Sequence, residues 1–137
     1  MTVLIIAYLC TAGVFLAIDF IWLGFVAKNF YASQLEHLMA DQVNFVTAGG
    51  FYLVYAIGIV IFAVAPALEN NQWTHAALYG ALFGFFAYAT YDFTNQATLK
   101  DWPVIVTIAD VSWGTVLTGT SATLGYFLTR MISAPIS

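Results

Sequence analysis

Residues 2–25 read TVLIIAYLCTAGVFLAIDFIWLGF, an unbroken apolar run in which Asp19 is the one charged side chain. A helix crosses the hydrocarbon core of a bilayer with about 20 apolar residues, so this stretch is long enough to span. A strand is excluded because lipid offers no partner to the unpaired backbone groups of an open sheet edge. The run lacks the basic start of a signal peptide and is too long for its apolar core, so it reads as an anchor helix. A carboxylate is costly at such a place, which makes Asp19 a candidate functional group from the outset.

Three further runs extend the pattern. Residues 45–65 form a second span that stops at Pro66, and residues 74–99 a third that turns polar toward its end. Residues 103–128 form a fourth, opened by Pro103, a favoured first-turn residue. A polar loop, Glu69-Asn70-Asn71-Gln72, and a tight turn, Lys100-Asp101-Trp102, make two of the connections. Residues 26–44 are longer and amphipathic. Tyr31, Leu35, Leu38 and Met39 fall there at helical spacing and predict a short helix lying on the membrane interface. The expected fold is therefore all-α: one domain over residues 1–137, an integral membrane four-helix bundle with a short interfacial helix between helices one and two.

Composition narrows the function classes. The chain is 62% hydrophobic and 7% charged, against roughly 25% charged in soluble domains, and its mean hydropathy is +0.88. Its net charge is −4, with Lys28, Lys100 and Arg130 as the fixed cations, so it has no basic patch for nucleic acid. No polybasic segment points to recognition of anionic lipid. A single cysteine, Cys10, excludes a disulfide framework and reads as a small packing residue. Lys28 and Lys100 fall on one side of the membrane, side B, and Arg130 and the N-terminal amine on the other, side A. This slight bias favours side B as the cytoplasmic one, and a bias this weak is also what a dual-topology protein would show.

Threading four helices back and forth brings Asp19, Asp92 and Asp110 to one level. At 1.5 Å per residue each lies roughly 10 Å below the side-B surface, facing a common interior. Close carboxylates cannot all ionise cheaply, so at least one is expected to hold a proton. That suits a proton carrier, a general acid/base pair or a cation site. A purely structural use is the alternative: capping a neighbouring helix, accepting from a Trp N–H, or pairing with Lys28 or Lys100 reaching inward.

The surroundings of two aspartates repeat. Asp19 and Trp22 are three apart on helix one, Asp110 and Trp113 three apart on helix four, and each pair shares a helix face. They could line a pocket for a flat or cationic ligand or simply anchor the helices at the interface. On helix three, Gly80, Gly84, Tyr88 and Asp92 form one i, i+4 row, within a polar run that includes Tyr91 and Asn95. The seam Thr107, Val111, Gly114, Thr118, Ser121 and Gly125 on helix four reads as packing. The candidate ligand or proton site is therefore Asp19, Trp22, Tyr88, Tyr91, Asp92, Asn95, Asp110 and Trp113. His37, in the side-B connection, reads as a surface residue, with a proton shuttle over the aspartates as the alternative, and His75 lies far away on side A. A zinc or di-iron centre is not expected, since transition metals want several His or Cys ligands. No phosphate loop, dinucleotide fingerprint or zinc-protease motif is present, so no cofactor is expected and no catalytic residue can be named.

Three stretches carry a resemblance: residues 19–25 (DFIWLGF), 51–55 (FYLVY) and 88–99 (YATYDFTNQATL). So does Trp102-Pro103 followed by residues 110–115 (DVSWGT). Together they resemble a bacterial family of small membrane proteins, domain of unknown function 2177, across nearly the whole chain. The resemblance implies a four-helix, multi-pass protein of the bacterial inner membrane, and it supplies no activity. Three functions stay open. The first is a module that binds or transports a small apolar or cationic solute, coupled to a proton or cation held by the aspartates. Four helices are too few to enclose a large pathway, which points to a homodimer. The second is a lipid-modifying membrane enzyme, or its accessory subunit, with Asp92 and Asp110 as acid and base and Tyr91 and Asn95 orienting the substrate. The third is a structural, partner-binding subunit. Membrane lipid is a partner in all three.

Overall fold

The computed structural model describes residues 1–133, and every regular element among them is helical. Helix α1 (Thr2–Ile21) runs on through a wide π turn at Trp22–Val26. Helix α2 (Lys28–Leu35) follows, with a 3-10 turn at Glu36–Leu38. Helix α3 (Phe45–Ile59) continues through a second π turn, Val60–Val64, into α4 (Ala65–Asn70). Helices α5 (Trp73–Thr98) and α6 (Val104–Ser133) complete the chain. Among the described residues, three continuous stretches are long and apolar enough to cross a membrane: Thr2–Val26, Phe45–Asn70 and Val104–Ser133. Helix α5 has comparable length, 26 residues, but the polar side chains of its second half keep it out of that group.

Local chemistry sets the boundaries. Asn44 starts α3 by accepting the Thr47 N–H on its side-chain oxygen at 3.0 Å, a helix N-cap. The expected stop at Pro66 does not occur. The π turn just before it widens the backbone, Pro66 falls in the first turn of α4, and the helix reaches Asn70. The wider hydrogen-bond pattern of that turn lets the continuous helix accommodate a residue without an N–H. The polar loop expected at residues 69–72 shrinks accordingly to Asn71 and Gln72, and Asn71 closes α4 in a left-handed conformation, φ 54°. Helix α6 outlasts its expected end at residue 128 by more than a turn, and the Thr129 and Ser133 hydroxyls in that extension bond back to carbonyls of the preceding turn. The amphipathic stripe after α1 is shorter than its spacing suggested: α2 ends at Leu35, and Met39 is extended.

The α5–α6 contact is the most extensive in the molecule, and α1 lies along another side of α6. Small residues let the helix axes approach. A Cβ placed on Gly80 would stand 2.7 Å from the Ala122 Cβ, and one on Gly114 would fall inside the Tyr88 ring. The seam Thr107, Val111, Gly114, Thr118, Ser121 and Gly125 is buried throughout, as expected for packing. Phe15, Ile59, Leu117 and Tyr126 form the core with alanines from every long helix. The outside is apolar as well: Phe20, Phe25, Phe45, Phe62 and Phe86 are each more than half exposed. Apolar cover of that extent suits a bilayer rather than water.

One departure from close packing places the site. The second span meets α5 chiefly through the Val60–Val64 turn, while α3 touches α1 on its other side. Toward Phe45, α3 stands away from α5, and a cleft of about 660 Å³ fills the gap.

Candidate functional site

All three aspartates lie at the end of the structure where α1 and α5 finish and α6 begins. They do not form one cluster. Asp19, on the last turns of α1, is 5% exposed. Its two oxygens accept separate hydrogen bonds, from the Tyr52 hydroxyl of α3 at 2.7 Å and from the Trp113 indole N–H of α6 at 3.1 Å. Asp110, on the second turn of α6, is half-buried and accepts from the Tyr31 hydroxyl at 2.9 Å. That hydroxyl in turn accepts from the Trp22 indole N–H at 3.3 Å. The matched Asp-x-x-Trp pairs are thus cross-connected. The Trp of α6 serves the aspartate of α1, and the Trp of α1 reaches the aspartate of α6 through Tyr31. Trp22 and Trp113 stack on each other, centroids 4.2 Å apart and planes 10° from parallel, so each covers one face of the other.

Asp92 differs. It is fully enclosed, with 0% exposure, and Asp110 lies against it. Among the described residues, neither of its oxygens has a hydrogen-bond partner. One turn further along α5, the Gln96 side-chain oxygen is also buried without a partner. Three acceptor oxygens without donors, behind a second carboxyl group, are costly in any low-dielectric setting. A proton or a cation between the carboxyls relieves that cost directly.

Tyrosines surround the carboxyls. Tyr52 and Tyr88 both lie within electrostatic reach of Asp19 and Asp110. The ring of Tyr88 seats on Gly114, which ties α5 to α6 at this level. Tyr91 is 55% exposed at the cleft mouth, edge-on to the buried Trp102. Asn95 is half-buried beside Tyr91. Tyr31 reaches in from α2, outside the long helices. Burial, reinforced by the Asp110 charge, pushes its phenol above the usual tyrosine range, so it stays a donor to Asp110. His37 holds the neighbouring turn, its Nε2 lying 3.1 Å from the Asp101 carbonyl.

Of the eight residues expected from the sequence, seven are thus placed round the carboxyls or on the rim of the cleft, with Asn95 beside Tyr91. Asp92 pairs with Asp110, while Asp19 sits in its own hydrogen-bonded seat. Tyr31, Tyr52 and Gln96 were not among the eight. Tyr31 looked like part of an apolar stripe, and Tyr52 stands in an apolar helix with no polar neighbour. Gln96 was visible within the polar run, but nothing in the sequence marked its oxygen as unpartnered.

Two clefts flank α3 at this level. One, between α1 and α3, is about 670 Å³ and has Asp19 and Tyr52 in its wall. The other, between α3 and α5, carries Asp110 in its wall together with Tyr52, Tyr55, Tyr88 and Tyr91. A groove of about 710 Å³ near Met1 and Ala65 is lined almost wholly by aliphatic side chains and holds no carboxyl group. It suits lipid chains and no chemistry.

Comparison with known proteins gives one match. No curated protein and no solved structure is similar to the chain. Residues 4–127 match a family described as predicted membrane protein, DUF2177. With apolar helices outside, carboxyl groups inside and a match covering most of its length, the chain belongs to the DUF2177 family of predicted membrane proteins.

Proposed function

We propose that this protein is a four-helix bundle of the bacterial inner membrane, with α5 as its fourth span and α2 lying on the side-B interface. In it the Asp92–Asp110 pair holds a proton or a cation and couples it to binding or transport of a small solute. The observation that carries this reading is the fully enclosed Asp92, whose oxygens lack partners while Asp110 stands beside it. A buried carboxyl used only for packing would be expected to resemble Asp19, with both oxygens bonded. Two carboxyl groups this close hold one proton more cheaply than two negative charges. The single domain functions as a homodimer, because one bundle of this size encloses no continuous pathway. Native mass spectrometry of the purified protein reads the dimer directly.

Infrared difference spectroscopy in lipid nanodiscs tests the proton site. The expected result is a carboxylic-acid C=O band at neutral pH that titrates away in alkali and is lost in Asp92→Asn. A spectrum without that band, or one identical in Asp92→Asn, removes the proton from the reading. A second reading, a lipid-modifying enzyme or its accessory subunit, draws support from the cleft mouth beside α5, at the depth of upper acyl carbons. An unchanged lipid profile in cells lacking the protein would remove it.

A further inference from the structure

We propose that the cleft between α3 and α5 binds a lipophilic organic monocation, an ammonium or phosphonium with an apolar body, drawn sideways from the bilayer with its charge against Asp110. The inference rests on the carboxyl-pair reading above and names its ligand class. Four features of the cleft select that class. Its walls are largely aromatic: Phe51, Tyr52, Tyr55, Phe83, Tyr88 and Tyr91. Aromatic faces attract cations, most strongly where water is excluded. Asp110 is the one charged residue in the lining, so an anionic head group is repelled and a cationic one is neutralised. Asp92 lies against Asp110, its oxygens without partners among the described residues, so the pair keeps a negative charge beside the cleft when it shares one proton. The volume, about 660 Å³, lies within the roughly 300–1,000 Å³ of small-molecule sites.

The opening fixes the route. Phe51 and Tyr91, in the lining, are 53% and 55% exposed, among the exposed apolar side chains that make up the flank of α3 and α5, such as Val54 and Phe86. A hydrated inorganic ion has no use for aromatic walls and would not cross that flank. An uncharged acyl chain fits the walls but leaves Asp110 without a counter-charge.

Charge balance follows simply. The carboxyl pair with one proton carries one negative charge, and a monocation beside Asp110 brings the site to neutrality. A second proton removes the negative charge, so acid expels the cation. The titratable groups placed round Asp110 are Tyr31 from α2, Tyr52 from α3, and Tyr88, Tyr91 and Asp92 from α5. The tyrosines stay neutral in this range, so the change belongs to the carboxyl groups.

The test uses radiolabelled tetraphenylphosphonium with the full chain in phosphatidylcholine nanodiscs. Tetraphenylborate, of the same shape and opposite charge, is measured separately. Saturable binding of the cation is expected, at least tenfold weaker in Asp110→Asn and on acidification, with no saturable binding of the anion. Ala87→Trp fills the cleft from the α5 wall and should abolish binding while keeping the infrared carboxyl band. Non-saturable uptake, equal binding of the borate, or unchanged binding in either variant overturns the inference. The infrared band, recorded on the same samples, separates the two ideas. A titrating band without cation binding overturns the ligand class alone, and loss of both overturns the proton site as well.

Discussion

Replacing Gly84 by alanine puts a methyl group where α5 and α6 come closest. A Cβ at that position would stand 2.7 Å from the Thr118 Cβ and would run into the Gly114 carbonyl oxygen. Ordinary contact begins at 3.4 Å, so the helices must part by most of an ångström, and a backbone carbonyl cannot rotate away as a side chain can. Overpacking of this kind costs about 1–3 kcal/mol, while Gly→Ala in a helix interior returns up to ~1 kcal/mol. Because the obstacle is backbone, the net is a loss of about 1–2 kcal/mol. Gly13 supplies the control. Nothing lies within 4 Å of a Cβ there, so Gly13→Ala keeps the helix gain without the clash. Unfolding of the two variants by sodium dodecyl sulfate from mixed micelles, followed by tryptophan fluorescence, measures the difference. Asp92 lies eight residues beyond Gly84, about 12 Å along the helix, so parting the helices should also alter the infrared carboxyl band. If Gly84→Ala is as stable as Gly13→Ala, α5 and α6 do not meet as closely as described, and the placement of Asp92 against Asp110 fails with it.

Two further outcomes follow from hydrogen bonds at the site. Tyr52→Phe removes the 2.7 Å donor to buried Asp19 and should destabilise the protein by about 1–3 kcal/mol, the cost of leaving a buried acceptor unpaired; the same detergent unfolding reads it, and a loss below ~0.5 kcal/mol would mean that Asp19 finds another donor. Tyr31, raised above its ordinary 10.0 in the folded state, contributes stability that is fully present below pH 10.0 and lost as pH rises further, because the unfolded chain then releases its proton first; hydrogen exchange of α2 should therefore be flat with pH below that point after correction for intrinsic rates, accelerate above it, and lose this alkaline step in Tyr31→Phe.

Much of the fold was legible in the sequence because hydrocarbon allows so few solutions. Long apolar runs must be helices, since every backbone group has to find its partner within the segment. Asp19, Asp92 and Asp110 could be placed at one level by counting residues from the turns, and the Gly80, Gly84, Tyr88, Asp92 row could be assigned to one face, because helical rise and periodicity are fixed. Pro66 misled, because whether a proline ends a helix depends on the turn before it, and the π turn at Val60–Val64 is not written in any local preference. Tertiary structure alone decided which carboxyl is satisfied. Asp19 and Asp92 look alike as intramembrane aspartates, but Tyr52 and Trp113 arrive from other helices to bond the first, and only Asp110 comes up to the second. The α3–α5 cleft is equally invisible along the chain, since it exists only because the second span approaches α5 at one end and leaves it at the other. Periodicity sets which face a residue occupies; the hydrogen-bond partner and the empty space beside it depend on where the other helices stand.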